Sequence, residues 1–280
     1  MSSQIWAASS QIKSGASQIK VAFHGAAGRM GRRLVAFAAA DPSFRIVAAL
    51  ETPEHPLLGQ DCGAVAGVGN VGVPLTPTWD APTDVVVDFS VPAAVPKVID
   101  KCVRRGLPLV VATTGLEAAE VEHVKQASAR IPLLWSPSMS MAVNLAMKLS
   151  SIAATAFKDH PSGVDVEIIE RHHRMKEDAP SGTAIRFGQI IANIMGQTKG
   201  VHGREGRPGA RTHGEIGFHA VRTGDNPGEH TIVFGLLGET LEICVKASNR
   251  DCYAQGALAA AKFLAGKPPK LYGMSDVLGI

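Results

Sequence analysis

Cysteine is scarce: Cys62, Cys102, Cys244 and Cys252 are the only four in 280 residues, widely spaced and without a CxxC pair. This gives no disulfide framework and fits ordinary buried thiols in a reducing cytosol, hence a cytoplasmic protein. No uninterrupted apolar run approaches the roughly 20 residues of a membrane-spanning helix, so no membrane partner is expected. A one-signed charge excess is missing too, with 28 Lys plus Arg against 25 Asp plus Glu and a formal net charge of +3. So slight an imbalance does not argue for nucleic acid, and any cationic patch has to be judged locally. Residues 1–18 (MSSQIWAASSQIKSGASQ) lack acidic residues, arginine and the apolar core of a secretory signal. Being Ser-rich with a repeated SQI, they read as a disordered leader.

What is present is the composition of a globular chain, 45% hydrophobic and 19% charged, long enough for more than one domain. Residues 18–23 form a short apolar strand, 29–40 a helix with Leu34, Val35 and Phe37 toward a sheet, and 44–50 a second strand: a βαβ opening. Strands follow at 84–89, 108–112 and 132–135, with helices at 93–105 and 117–129 between them. Apolar strands alternating with amphipathic helices indicate a parallel sheet covered on both faces.

The character then changes. A long helix is expected over 141–157, a strand over 164–170, and a helix over 179–195 carrying Ala184, Phe187, Ile191 and Ile194 on one side, with Gly196 to end it. Strands at 215–222, 230–236 and 240–246 have short connections, which commonly join antiparallel neighbours. An Ala-rich helix over 250–265 closes the pattern. The fold class is therefore α/β: a Rossmann-like dinucleotide-binding domain (19–142 and 250–280) plus an α+β substrate-binding and oligomerisation domain (143–249) with a mixed, largely antiparallel open sheet.

Gly25, Ala26, Ala27, Gly28, Arg29, Met30 and Gly31 lie between the first strand and first helix. Glycine there lets a pyrophosphate approach the backbone, and the helix start offers N–H groups and a positive dipole. The spacing is GxxGxxG, a variant of the usual fingerprint; alone it also suits a tight turn that only allows helix–sheet packing. The second strand is followed by Glu51, twenty residues beyond Gly31, where a carboxylate would accept bonds from ribose hydroxyls. Thr52, not arginine, follows it, so a 2′-phosphate would meet an uncompensated carboxylate unless Arg29 or Arg32 reached it. NADH is expected to be preferred over NADPH.

Arg171, His172, His173, Arg174 and Lys176 place five residues capable of positive charge within six positions, just before Ser181-Gly182-Thr183 opens a helix. Cations, hydroxyls and free helix N–H groups together suit a small dianion. A histidine there could deliver a proton near neutral pH, and a desolvated Lys176 could act as an acid. Three other readings compete. Adjacent histidines could bind a metal, but no further ligand set accompanies them, so no metal is expected. The run could be a solvated basic face, or a phosphate patch for nucleic acid, which the even charge balance disfavours.

GAAGRMG, DFSVP (residues 88–92), ATTG (112–115), ERHHRMKEDAPSGTA (170–184) and GEHT (228–231) occur in this order. Together they resemble the 4-hydroxy-tetrahydrodipicolinate (dihydrodipicolinate) reductases over about residues 19–280, the segment around His172 being highly specific. The resemblance implies hydride transfer from NADH or NADPH to a cyclic dicarboxylate formed from aspartate semialdehyde and pyruvate. The product would be tetrahydrodipicolinate, in lysine and diaminopimelate biosynthesis. It implies that Gly25, Ala26, Ala27, Gly28, Arg29 and Met30 cradle the pyrophosphate and Glu51 the ribose. Ala112, Thr113 and Thr114, with Ser136, Pro137, Ser138 and Met139, would line the nicotinamide side. His172 would be the general acid with Lys176 assisting, while His173, Lys176, Ser181, Gly182 and Thr183 would bind the substrate carboxylates. A homotetramer assembled through the second domain's sheet is also implied. The chain departs from the family at Ala112, often glycine, at Thr52, often arginine, and at Met139, often aromatic; the last two bear on cofactor preference and nicotinamide packing.

Two rivals remain from sequence. Another two-domain dehydrogenase, of the aspartate or homoserine type, would share the first domain without needing the cationic cluster. A non-catalytic dinucleotide sensor would not need His172 and Lys176 intact.

Overall fold

The computed structural model describes residues 17–280; the leader read over 1–18 lies, but for its last two positions, outside the described residues. The chain divides into two compact units, one running up to Leu133 and including Ala261–Leu271, the other comprising Leu134–Ala260 and Tyr272–Ile280.

Most of a seven-stranded sheet belongs to the first unit. Strands β1 (Ile19–His24), β2 (Phe44–Leu50), β3 (Leu75–Thr76), β4 (Val85–Asp88), β5 (Leu109–Val111), β6 (Pro132–Trp135) and β12 (Lys270–Tyr272) lie in the order β12-β6-β5-β4-β1-β2-β3. β4 and β5 are buried along their whole length, as a parallel sheet with both faces covered requires. Order reverses at β1, which pairs in parallel with β2 on one side and β4 on the other. The crevice beyond His24 and Asp88, partners at the carboxyl ends of β1 and β4, is thus the topological switch point where open α/β sheets bind ligands.

Helix α1 (Arg29–Ala40) buries Gly31, Leu34, Val35 and Ala38, an i, i+3, i+4, i+7 spacing that makes one stripe. Phe37, expected on the sheet side, falls off that stripe and packs under the Arg33 guanidinium, 5.1 Å from the ring centre. A short helix α2 (Cys62–Ala66) is capped by Asp61. α3 (Val95–Arg105) buries Val95, Val98, Ile99 and Cys102, the stripe its sequence spells out, and α4 (Ala118–Ser128) starts in a capping box between Glu117 and Glu120.

In the second unit, α5 (Met141–Phe157) and α6 (Gly182–Met195) cover one face of a five-stranded sheet. Its strands are β7 (Asp165–His172), β8 (Lys199–His202), β9 (Glu215–Arg222), β10 (Glu229–Leu236) and β11 (Glu239–Lys246), ordered β11-β10-β7-β9-β8. The core between helices and sheet gathers Val166, Ile168, Phe187, Ile191, Ile232 and Phe234, all at most 1% exposed. α7 (Asp251–Leu264) and α8 (Met274–Leu278) complete the chain.

Three local expectations change. β7 runs on through His172, because Arg171 pairs with Glu229 and His172 with Arg222. α6 begins at Gly182 rather than 179, since Ser181 is the N-cap and its hydroxyl accepts from the Ala184 N–H. The short link between β9 and β10 does not make them neighbours: β7 sits between, parallel to β9 and antiparallel to β10. The sheet is mixed, with two antiparallel and two parallel pairings.

Candidate active site

In the first unit, the turn after β1 is shaped by glycine where a side chain is impossible. Gly25 has φ of 80°, and a Cβ at Gly31 would lie 2.0 Å from the Gly25 carbonyl oxygen. The Gly25 and Ala26 N–H groups donate to the Leu50 carbonyl, and the Gly28 N–H donates to Gly25. The Ala27 N–H donates to the Glu51 carboxylate at 2.7 Å. The inner turn therefore satisfies itself, and the end facing a ligand is the start of α1 at Arg29 and Met30. That start has neither a side-chain cap nor an acidic residue in its first turn. Arg32 reaches back to the Ala27 carbonyl at 2.7 Å, while Arg29 is exposed.

Asp88, fully buried at the end of β4, binds three groups at the switch point. Its carboxylate is 2.6 Å from His24 Nδ1, and it accepts from the Ser90 and Thr113 hydroxyls, each also at 2.6 Å. Thr113 is thus fixed beside buried Ala112, and Thr114 is exposed. His24 and Asp88 had no role in the sequence reading; the DFSVP motif was the available signal.

Ser136, Pro137, Ser138 and Met139 fall in the second unit's portion of the chain. Ser136 donates to the Ser138 carbonyl, which also accepts from Asn144. Met139 is buried, and Gly256 in α7 is obligatory there, because a Cβ would stand 1.8 Å from the Met139 carbonyl oxygen.

The second unit brings together residues far apart in sequence. Glu170 and His172 alternate onto the same, inner face of β7. His172 Nδ1 lies 2.6 Å from Glu170 Oε2. Arg222 of β9 donates to both Glu170 oxygens at 2.8 Å, and the Ser181 N–H donates to Oε1 at 3.0 Å. The Ser181 hydroxyl is 3.0 Å from His230 Nε2, and the His230 ring stands edge-on to His172, 5.3 Å between centres. Glu170 is 1% exposed and His172 9%. Burial alone would raise the Glu170 carboxyl, but bonds from Arg222, His172 and Ser181 outweigh it and hold it low. Burial pushes His172 down, against the pull of Glu170, and pushes His230 down to about 4.

Lys176, in the turn beyond β7, donates to Asp178 at 2.7 Å and keeps that carboxyl low. His173 is half-buried in the same turn, its carbonyl accepting from the Lys176 N–H. Beside the start of α6 lies a cavity of about 280 Å³ whose lining includes Thr183, Gly228, His230, Ser140, Asn249 and Lys246. Glu170, Arg222 and His230 carried no assignment from sequence; His230 lies inside the GEHT string, but Arg222 lies in no motif.

The N-terminal model of dihydrodipicolinate reductase matches residues 19–139, and the C-terminal model matches 142–278. The chain belongs to the 4-hydroxy-tetrahydrodipicolinate (dihydrodipicolinate) reductase family. It is 56% identical over 270 residues to the 4-hydroxy-tetrahydrodipicolinate reductase of Rhodopirellula baltica, covering 94% of this chain and 96% of that one. With the enzyme of that name from Thiobacillus denitrificans it shares 45% identity over 268 residues, 94% and 99% of the two chains. A dipicolinate-bound dihydrodipicolinate reductase from Paenisporosarcina sp. TG-14 has the same fold, with a TM-score of 0.74 over 92% of this chain and 99% of that chain at 24% identity. The chain is accordingly an oxidoreductase with an NAD(P)-binding Rossmann-like unit.

Proposed function

We propose that this chain reduces 4-hydroxy-tetrahydrodipicolinate to tetrahydrodipicolinate in lysine and diaminopimelate biosynthesis, with His172 as general acid and Lys176 assisting. The observation that carries the reading is the union of a buried histidine with a helix start. His172 and the Ser181-capped start of α6 are tied to one carboxylate, Glu170, beside a cavity that holds Thr183 and His230.

The first unit's turn fits a dinucleotide: Gly25 and Gly31 bring backbone close, and the uncapped, acid-free start of α1 suits a diphosphate. Bound NADH or NADPH supplies the hydride. Gly25, Ala26, Ala27, Gly28, Arg29 and Met30 shape the diphosphate cradle, and Glu51 accepts from the ribose hydroxyls. Ala112, Thr113 and Thr114, with Ser136, Pro137, Ser138 and Met139, line the nicotinamide side. Glu51 favours NADH, because its negative charge is anchored at the turn by Ala27 and Arg32 is drawn to the Ala27 carbonyl.

In the second unit, His173, Lys176, Ser181, Gly182 and Thr183 hold the substrate's two carboxylates. The Ser181 N–H is committed to Glu170 and its hydroxyl to Ala184 and His230, so Ser181 acts chiefly by setting the helix start that Gly182 and Thr183 offer. Lys176 exchanges Asp178 for a substrate carboxylate. His172 is driven toward neutrality by burial, so it must take up a proton before it can give one. A dianionic ring beside it supplies the field that favours imidazolium. The protonated ring then donates opposite the incoming hydride, and the bound carboxylates hold the substrate in register.

We further place the protein in the cytoplasm as a homotetramer joined through the outer face of the second sheet, where Ile169 and Val221 are exposed. The function is tested by adding freshly condensed aspartate semialdehyde and pyruvate and following nicotinamide absorbance with each cofactor. Rapid oxidation, with higher kcat/KM for NADH, is expected. No turnover would refute the reaction; a strong NADPH preference would refute the role given to Glu51.

A further inference from the structure

Glu170 belongs to no role assigned so far, yet it is the point on which the second unit's site converges. Its four bonds come from three residues on three elements: one from His172 on β7, one from the Ser181 N–H at the start of α6, and two from the Arg222 guanidinium on β9. An ionised carboxylate only accepts, and Arg222 keeps Glu170 ionised. The proton between Glu170 and His172 must therefore sit on Nδ1. That leaves Nε2, which lies on the side of Gly228, where a Cβ would approach it to 3.0 Å. Arg222 also donates to the Asp178 carbonyl at 2.6 Å, and Asp178 holds Lys176. One guanidinium thus braces both proton-bearing groups.

We propose that Glu170, locked by Arg222, is a positioning residue for His172: it fixes the imidazole proton on Nδ1 and presents Nε2 as the atom that gives and regains the transferred proton. This rests on the functional reading of His172 given above. The step balances simply. The imidazolium Nε2–H bond breaks as the proton passes to the substrate, the ring becomes neutral with Nδ1–H still bonded to Glu170, and solvent later returns the proton to Nε2. Around His172, Glu170 favours the charged ring, Lys176 and Arg222 oppose it, and neutral His230 stands edge-on. Removing the Glu170 charge leaves burial and two cations unopposed.

Glu170→Gln keeps the volume and removes the charge. Its kcat should fall at least about tenfold, a part of the roughly 10²–10⁴-fold that a positioned acid supplies, with KM changed much less. The decline of kcat with rising pH, set by loss of the protonated ring, should move to lower pH. Arg222→Lys should shift the same limb, because a single ammonium cannot hold both carboxylate oxygens. An active wild type with an unaltered limb and kcat in Glu170→Gln would overturn the proposal without touching the function. The second test needs no turnover: long-range ¹H–¹⁵N spectra of the wild type, assigned by loss of the signal in His172→Gln, should show His172 as the Nδ1–H tautomer. An Nε2–H tautomer would overturn it even if Glu170→Gln does not fold.

Discussion

Gly31→Ala sets two effects against each other, and the structure decides between them. Gly31 lies inside α1, where alanine would normally gain about 1 kcal/mol of helix stability. The new methyl, however, would stand 2.0 Å from the Gly25 carbonyl oxygen and 2.7 Å from Ala26 backbone carbon. Relief to ordinary contact requires the glycine turn and the helix to part by more than about 1 Å, and the obstructing atoms are backbone, not flexible side chains. Overpacking of this kind costs typically 1–3 kcal/mol, so the helix gain is cancelled or exceeded. The larger consequence is functional, since a displacement of about 1 Å in a positioning element can lower a rate by about 10²-fold. Thermal unfolding by circular dichroism and an NADH fluorescence titration read the two effects separately. A Tm no higher than wild type with dinucleotide affinity reduced at least tenfold is expected. A raised Tm with unchanged NADH affinity would refute the role of this close approach.

Other outcomes follow from the same contacts. Lys176→Ala should raise KM for the substrate by about 10- to 100-fold, the value of a charge-assisted hydrogen bond, and lower kcat; an unchanged KM would remove it from the carboxylate site. Glu51→Ala should lower kcat/KM for NADH more than for NADPH, and equal losses would contradict its ribose contact. On the outer face of the second sheet, burial raises the Glu167 carboxyl, but bonds from Arg204, His219 and Arg211 hold it down to about 2. Its depressed folded-state pKa contributes stability present above the ordinary carboxylate range and lost as pH falls toward 2, on the order of 3 kcal/mol. Urea unfolding midpoints between pH 6 and 2.5 should fall more steeply for wild type than for Glu167→Gln; parallel slopes would refute the clamp.

Legibility in the sequence followed the physical range of each signal. α1 and β2 were readable to the residue, because Gly28 and Asp41-Pro42 punctuate them and their apolar spacing is unbroken. β3, β8 and β12 (LT, KGVH and KLY) lack the continuous apolar run that announces even three-residue β5. The insertion of β7 between β9 and β10 is a tertiary choice that a short connecting loop does not reveal. His172, Lys176 and the Ser181 segment were legible because chemistry clusters locally in the chain. Arg222 was not: its pairing with Glu170 spans 52 residues and appears only when β7 and β9 align. Asp88 and His230 lay inside quoted motifs, but their buried hydrogen-bond partners gave them meaning.

The most direct test of the account is kcat for His172→Ala at saturating substrate, beside wild type. A loss of about 10²–10⁴-fold with a much smaller change in KM is predicted, as removal of a positioned proton donor requires. An unchanged kcat would contradict it.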